Sequence, residues 1–77
     1  MEREYRYWAW LAEDESSVDA AKEIIRTWQR PDGMDVAEAS TPDGWRITPT
    51  YRDVKDQHER GYLLPITAED VERLTRG

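Results

Sequence analysis

The stretch from Ile24 to Trp45 reads IIRTWQRPDGMDVAEASTPDGW and contains the triplet Pro-Asp-Gly twice. In such a turn, proline presets φ at the first position, aspartate bonds to its own backbone, and glycine takes the left-handed conformation that closes the loop. Residues that favour strands flank both triplets. The stretch therefore predicts a meander of three antiparallel segments.

A three-residue loop at each turn sets the register of the predicted meander. An opposite-charge pair and a pair of an aromatic with a β-branched residue each contribute roughly 0.2–1 kcal/mol across strands, which favours this register. For the first turn the predicted pairs are Arg26 with Glu38, Trp28 with Val36, Thr27 with Ala37 and Ile25 with Ala39. For the second turn they are Thr41 with Trp45 and Ala39 with Ile47.

Residues 17–29 allow two interpretations. Val18, Ala21, Ile25 and Trp28 fall at helical spacing, with Ser17 as an N-cap, so an amphipathic helix fits the pattern. The first turn, however, requires a strand on its N-terminal side. We expect a short helical turn over residues 18–22 and a strand from residue 24, with the longer helix as the alternative.

The rest of the chain completes a single α+β domain over residues 1–77. Residues 4–12 (EYRYWAWLA) predict an aromatic strand, with Tyr5, Tyr7, Ala9 and Leu11 on one face and Arg6, Trp8 and Trp10 on the other. A helix is expected over residues 51–59, a strand over residues 62–66 and a C-terminal helix from a capping box at residues 67–70. The fold class is thus a small antiparallel sheet with one or two short helices and a C-terminal helix.

Composition limits the classes of function. The 77 residues carry a formal net charge of −6, which disfavours nucleic acid and anionic membranes as partners. The charged first residues do not form a signal peptide, and no apolar run reaches the length of a membrane span, so we expect a cytoplasmic protein. Four Trp and four Tyr, without Phe or Cys, must supply most of the core or an interface.

The residues needed for catalysis are scarce. The only histidine, His58, lies late in a charged helical segment, and no cysteine or nucleophile elbow is present. The acidic residues 13–19 lack the spacing of a calcium loop, and no glycine-rich phosphate motif occurs. We therefore expect no enzymatic activity, no cofactor and no metal site.

Two stripes that combine arginine and tryptophan are the candidate interaction surface. Tryptophan and arginine are over-represented among the residues that dominate protein interfaces. The same residues also suit a core role, with the arginines paired to acids, and that arrangement is the commoner one for such residues; the pattern leaves the choice open. The stripes consist of Arg6, Trp8 and Trp10 in the first strand and Arg26, Trp28 and Arg30 in the second.

Four functions follow from these observations. The first is a protein–protein interaction module that binds a partner or forms a homodimer. The alternative is an acidic phage-type inhibitor, whose carboxylates at residues 13–19 and 69–72 imitate phosphates toward a nucleic-acid-binding protein. Direct binding of single strands by the arginine–tryptophan stripe comes third, and an enzyme centred on His58 last.

Short motifs along nearly the whole chain support a family resemblance. They are Tyr7-Trp8-Ala9, residues 16–19 (SSVD), Ile24-Ile25-Arg26 with Trp28, Glu38-Ala39, Trp45, Pro49-Thr50 and residues 65–70 (PITAED). In these the chain resembles a group of small, uncharacterised actinobacterial and actinophage proteins. The resemblance implies a strand over residues 24–30 and implies no activity. The chain departs from the group at residues 20–22 (AAK), where a loop-forming proline stretch is expected.

Overall fold

A five-stranded antiparallel sheet and two helices form the α+β fold. The computed structural model describes residues 4–57 and 59–75. Its strands are ordered β4-β3-β2-β1-β5, so that four consecutive strands form a meander and the last strand pairs with the first. The elements are β1 (Arg6–Leu11), a 3-10 turn (Val18–Ala20), β2 (Glu23–Gln29), β3 (Asp35–Thr41), β4 (Gly44–Ile47), α1 (Thr50–Lys55), β5 (Tyr62–Ile66) and α2 (Ala68–Thr75).

The segment before the first turn is a short helical turn followed by a strand, as expected from its β-branched residues. The Ser17 hydroxyl accepts a hydrogen bond from the backbone N–H of Asp19 (3.3 Å) and caps the 3-10 turn. The strand β2 then lies between β1 and β3, and both neighbours pair with it along most of its length. The alternative, a continuous helix over residues 17–29, is wrong because sheet pairing on both sides outweighs its helical spacing.

The register between β2 and β3 is the one predicted from the sequence. Arg26 lies opposite Glu38 and Trp28 lies opposite Val36. The backbone N–H of Arg30 donates to the carbonyl of Met34 at 2.8 Å, which leaves three residues in the loop.

The predicted register between β3 and β4 is wrong by one residue. Thr41 pairs with Gly44 rather than with Trp45, so the loop contains only two residues. The Thr41 hydroxyl donates to the Gly44 carbonyl (2.6 Å) and accepts from the N–H of Asp43 (3.2 Å). These bonds hold Gly44, at φ 110°, inside the ladder instead of in the loop. A shift of one residue turns every side chain of a strand to the opposite face of the sheet.

The two helices and the strand of the C-terminal part lie where the sequence predicts them, but the first helix is shorter than predicted. The helix α1 is shorter than the expected 51–59, because the chain leaves helical geometry at Gln57 (φ 64°). Thr67 and Asp70 form a reciprocal capping box at the start of α2. The strand β5 lies at a sheet edge. This position suits Pro65, because proline has no N–H to donate to a further strand.

Both faces of the central strands contribute to the core. Alternate residues of each strand point to opposite faces. We call one face the α1 face, because Tyr51 of α1 packs on its Trp8; Ile25, Thr27 and Ala39 are its buried residues. The other is the Arg26 face, on which Ala9 and Leu11 are fully buried.

Candidate functional site

The guanidinium group of Arg26 is held between two aromatic rings. It lies 4.5 Å from the ring centroid of Tyr5 and 4.4 Å from that of Trp45. Its Nε donates to Oε1 of Glu38 at 2.9 Å. The side chains of Arg26 and Glu38 are only 20% and 18% exposed, so three partners fix the arginine in one position at the surface.

The strand registers explain how these residues meet. Tyr7 lies directly opposite Arg26 across β1 and β2, and Glu38 lies opposite Arg26 across β2 and β3. Trp45 belongs to β4, one strand further out, and its direct neighbour is the small Ser40. Because Ser40 leaves room above β3, the indole can lean inward, and its ring centroid is 6.4 Å from that of Tyr7.

Glu38 connects the two predicted anchors of β2. Its Oε1 also accepts a hydrogen bond from Nε1 of Trp28 at 3.3 Å. A charged acceptor strengthens the hydrogen bonds that it receives. A single carboxylate therefore orients both an arginine and a tryptophan. We call Tyr5, Tyr7, Arg26, Trp28, Glu38 and Trp45 the Arg26 cluster.

Two exposed apolar side chains border the Arg26 cluster. Ile47 is 81% exposed and Met34 is 52% exposed. Ile47 lies opposite Glu38, and Met34 precedes β3 at the position that alternation assigns to the same face. Protein interfaces are enriched in aromatic residues, methionine and arginine, and Met34 adds an exposed methionine to the aromatic rings and the arginine of the cluster.

The other predicted stripe lies on the α1 face, where the fold uses its tryptophans. Nε1 of Trp8 donates to the Thr27 hydroxyl at 3.0 Å, and the Trp8 ring contacts Tyr51 at 5.7 Å between centroids. Nε1 of Trp10 donates to the Arg60 carbonyl at 2.9 Å.

Five of the six predicted residues are thus divided between two faces, and the sixth lies at a turn. Arg26 and Trp28 lie together in the Arg26 cluster, whereas Arg6, Trp8 and Trp10 point to the α1 face. Arg30 lies at the first turn, where it pairs with Asp32 at 3.2 Å and remains more than half exposed. The sequence pattern indicates no role in the site for Tyr5, Tyr7 and Trp45. Thr41 is the sequence feature that could have placed Trp45 on this face, because its hydroxyl closes a two-residue turn and thereby sets the register of β4.

A second cluster joins the two acidic segments of the chain. Nη1 of Arg73 lies 2.7 Å from Oδ1 of Asp19, and its Nη2 lies 3.8 Å from Asp70. The hydrogen bond to Asp19 is the largest cause that raises the pKa of Arg73 above its ordinary value. The phenol of Tyr62 donates to the Glu15 carbonyl, which ties the acidic loop to β5.

Residues 4–57 and 59–75 also bear on a metal site and on a membrane span. Within those ranges, no three Asp, Glu, His or Cys side chains converge in a way that could hold a metal ion. His58 lies outside the described residues. Neither of the two helices described is long and apolar enough to cross a membrane.

Comparison with known proteins gives no match: no family model, no curated protein and no solved structure is significantly similar to the chain.

Proposed function

We propose that this chain is a small non-enzymatic module that binds a protein surface through its Arg26 face. The observation that carries the proposal is the fixed position of Arg26 between Tyr5 and Trp45, with its Nε on Glu38. Ile47 and Met34 extend the surface with exposed apolar groups. The partner is either another protein or a second copy of the chain.

The Arg26 cluster has the properties of an interface anchor. Tryptophan, tyrosine and arginine provide most of the residues that dominate binding energy. Side chains that are ordered before binding lose little conformational entropy on association. In this cluster, stacking and the bond to Glu38 already hold the arginine. The cluster can therefore present a rigid aromatic surface to its partner, with Arg26 fixed between the rings.

The proposal assigns different roles to the two tryptophan stripes. Arg26 and Trp28 remain binding residues, joined by Trp45. Trp8 and Trp10 are assigned to the fold, because their N–H groups bond to Thr27 and to the Arg60 carbonyl. No cofactor is needed for this function. A chain without cysteine also needs no disulfide, which suits the reducing cytoplasm in which we place the module.

Capture from a lysate of the native host, with variants on each face, tests this function. Wild type, Trp45→Ala and Arg52→Ala are immobilised at equal density, and the captured proteins are compared by quantitative mass spectrometry. Arg52 is an exposed arginine of α1, whose helix packs on the α1 face, so Arg52→Ala is the control for a change on the opposite face. Light scattering of each variant measures self-association in parallel.

Two results support the function. Either a specific protein is captured by wild type and Arg52→Ala and lost with Trp45→Ala, or a dimer of wild type dissociates in Trp45→Ala alone. Equal capture by all three proteins, or a monomer that captures nothing, overturns the proposal.

An acidic mimic of nucleic acid is the second candidate, and the contact between Arg73 and Asp19 favours it. This contact places Asp19, in the acidic loop, beside Arg73 of the acidic helix α2. The mimic requires that the other carboxylates of both segments line the same side of the molecule. Such a surface attracts a basic partner through long-range charge, and binding weakens steeply as salt rises. The same capture experiment at low and moderate salt distinguishes the two functions. A nucleic-acid-binding protein that is lost with salt, but retained by Trp45→Ala, supports the mimic.

A further inference from the structure

The outer edge of β4 presents unpaired backbone groups in the described part of the chain. The strand β4 is terminal in the sheet order. The N–H of Thr48 donates to the Ala37 carbonyl at 3.1 Å, and hydrogen-bonded positions alternate along an antiparallel pair. Gly44, Arg46 and Thr48 therefore bond inward to β3. The N–H and C=O groups of Trp45 and Ile47 point outward.

The two edges of the sheet differ in their protection. The edge strand β5 contains Pro65, which has no N–H to offer a further strand. The strand β4 (GWRI) contains no proline, and its Ile47 side chain is 81% exposed. An open edge with an exposed apolar side chain is suited to strand addition, in which an extended segment of a partner extends the sheet.

Arg46 determines which segment fits. In an antiparallel pairing of two copies that uses all four outward groups, Trp45 lies opposite Ile47 of the other copy. Arg46 then lies directly opposite Arg46 of the other copy. Like charges directly opposite each other destabilise a strand pair. The exposed arginine therefore opposes pairing of the chain with itself and favours a partner that carries a negative charge at that position.

We propose that the β4 edge binds an extended segment of a different protein, in which an acidic residue lies between two apolar residues. The apolar side chains lie beside Trp45 and Ile47 on the Arg26 face, and the acidic side chain pairs with Arg46 on the α1 face. The inference rests on the proposed function, because it identifies the partner segment that binds at the border of the Arg26 cluster.

The chain itself provides the probe. The variant Arg46→Glu places an acidic residue between Trp45 and Ile47, which is the predicted pattern. Isotope-labelled wild type is mixed with unlabelled Arg46→Glu, and NMR follows the amide signals and their hydrogen exchange. Controls are unlabelled wild type and Arg52→Glu, which changes the net charge equally at an exposed site of α1.

Strand addition has a specific signature. The amides of Trp45 and Ile47 shift and exchange more slowly in the mixture with Arg46→Glu, while those of Arg46 and Thr48, already bonded to β3, keep their protection. Neither control produces this change. The absence of a change, a change elsewhere in the sheet, or an equal change with wild type or Arg52→Glu overturns the inference.

A second variant guards against a folding defect in Arg46→Glu. Arg46→Thr removes the like-charge opposition, and threonine favours strands. We expect this variant to pair with itself and to show the same protection at Trp45 and Ile47; a monomeric Arg46→Thr contradicts the inference. If the edge does not pair, the proposed function of the Arg26 face still stands, because the loss of capture with Trp45→Ala tests that function without edge pairing. Conversely, edge pairing without any effect of Trp45→Ala on capture overturns the proposed function alone.

Discussion

Trp8 and Trp45 are both half-buried tryptophans of one sheet, yet their surroundings differ. Trp8 lies under Tyr51 of a helix and gives its N–H to Thr27 inside the sheet. Trp45 stacks on the charged group of Arg26, which in turn is paired with Glu38. Partial burial alone therefore does not distinguish the two roles. A tryptophan covered by a second layer supports the fold, whereas one that stacks on a fixed arginine is a candidate for binding.

The largest expected effect is the loss of stability in Trp8→Ala. Removing this ring leaves a cavity beneath Tyr51 and an unpaired Thr27 hydroxyl, so we expect the free energy of unfolding to fall by about 3 kcal/mol. Trp45→Ala removes a contact between a cation and a ring near the surface and should lower it by about 1 kcal/mol. Urea denaturation of both variants measures the difference. Equal losses of stability would contradict the assignment of Trp8 to the fold and of Trp45 to the binding surface.

Gly61→Ala tests the packing of the α1 face at Trp10, the second tryptophan of that face. Gly61 has φ 106°, and a Cβ placed on it would lie 2.7 Å from Nε1 of Trp10 and even closer to the Leu11 carbonyl. Strain and collision together should lower the free energy of unfolding by roughly 2–3 kcal/mol. Gly33→Ala is the control, because its φ is 89° but nothing lies within 4 Å of the added carbon. If Gly33→Ala loses as much stability, the loss in Gly61→Ala comes from its backbone conformation alone and not from the collision with Trp10 and Leu11.

The two Pro-Asp-Gly turns differ in how well the sequence predicts their registers. The β2–β3 register follows from local features, namely a loop with proline and glycine and a pairing of Arg26 with Glu38. The second turn has the same triplet but a different loop, because the Thr41 side chain bonds across it and draws Gly44 into the ladder. A triplet alone does not determine loop length when a neighbouring hydroxyl competes for the turn.

This one-residue difference decides what could be predicted of the candidate site. With the predicted register, Trp45 would share a face with Thr41 and lie away from Arg26. The observed pairing with Ser40 brings it onto the guanidinium group. The alternation of Arg26 and Trp28 along one strand predicts their place on a common face. The covering of Trp8 by Tyr51 depends on residues 43 positions apart, and no local pattern contains that information.

Within the Arg26 face, Glu38→Gln should have an intermediate effect. The substitution keeps the shape of the side chain but removes the charge that Nε of Arg26 and Nε1 of Trp28 share. We expect the free energy of unfolding to fall by about 1–2 kcal/mol, as for other hydrogen bonds to charged groups. Thermal and urea unfolding at neutral pH measure it.

Asp32→Asn is the matched control for Glu38→Gln. The pair of Asp32 with Arg30 is more than half exposed, and asparagine keeps the oxygen that accepts from the N–H of Met34. An exposed pair of this kind contributes about 0–1 kcal/mol, so a loss equal to that of Glu38→Gln would show that the Arg26 cluster is no more rigid than a surface ion pair.

The smallest effect is expected outside both faces, at the pair of Arg73 with Asp19. Arg73 is exposed, and solvent screens its attraction to Asp19, so Arg73→Gln should leave the unfolding midpoint unchanged. The hydrogen bond to Asp19 raises the pKa of Arg73, so this contribution is fully present below the ordinary arginine pKa and is lost only as pH rises through the raised value. The difference between wild type and Arg73→Gln should therefore stay constant from neutral to moderately alkaline pH. A difference that grows across that range would mean that Arg73 does more than join two acidic segments.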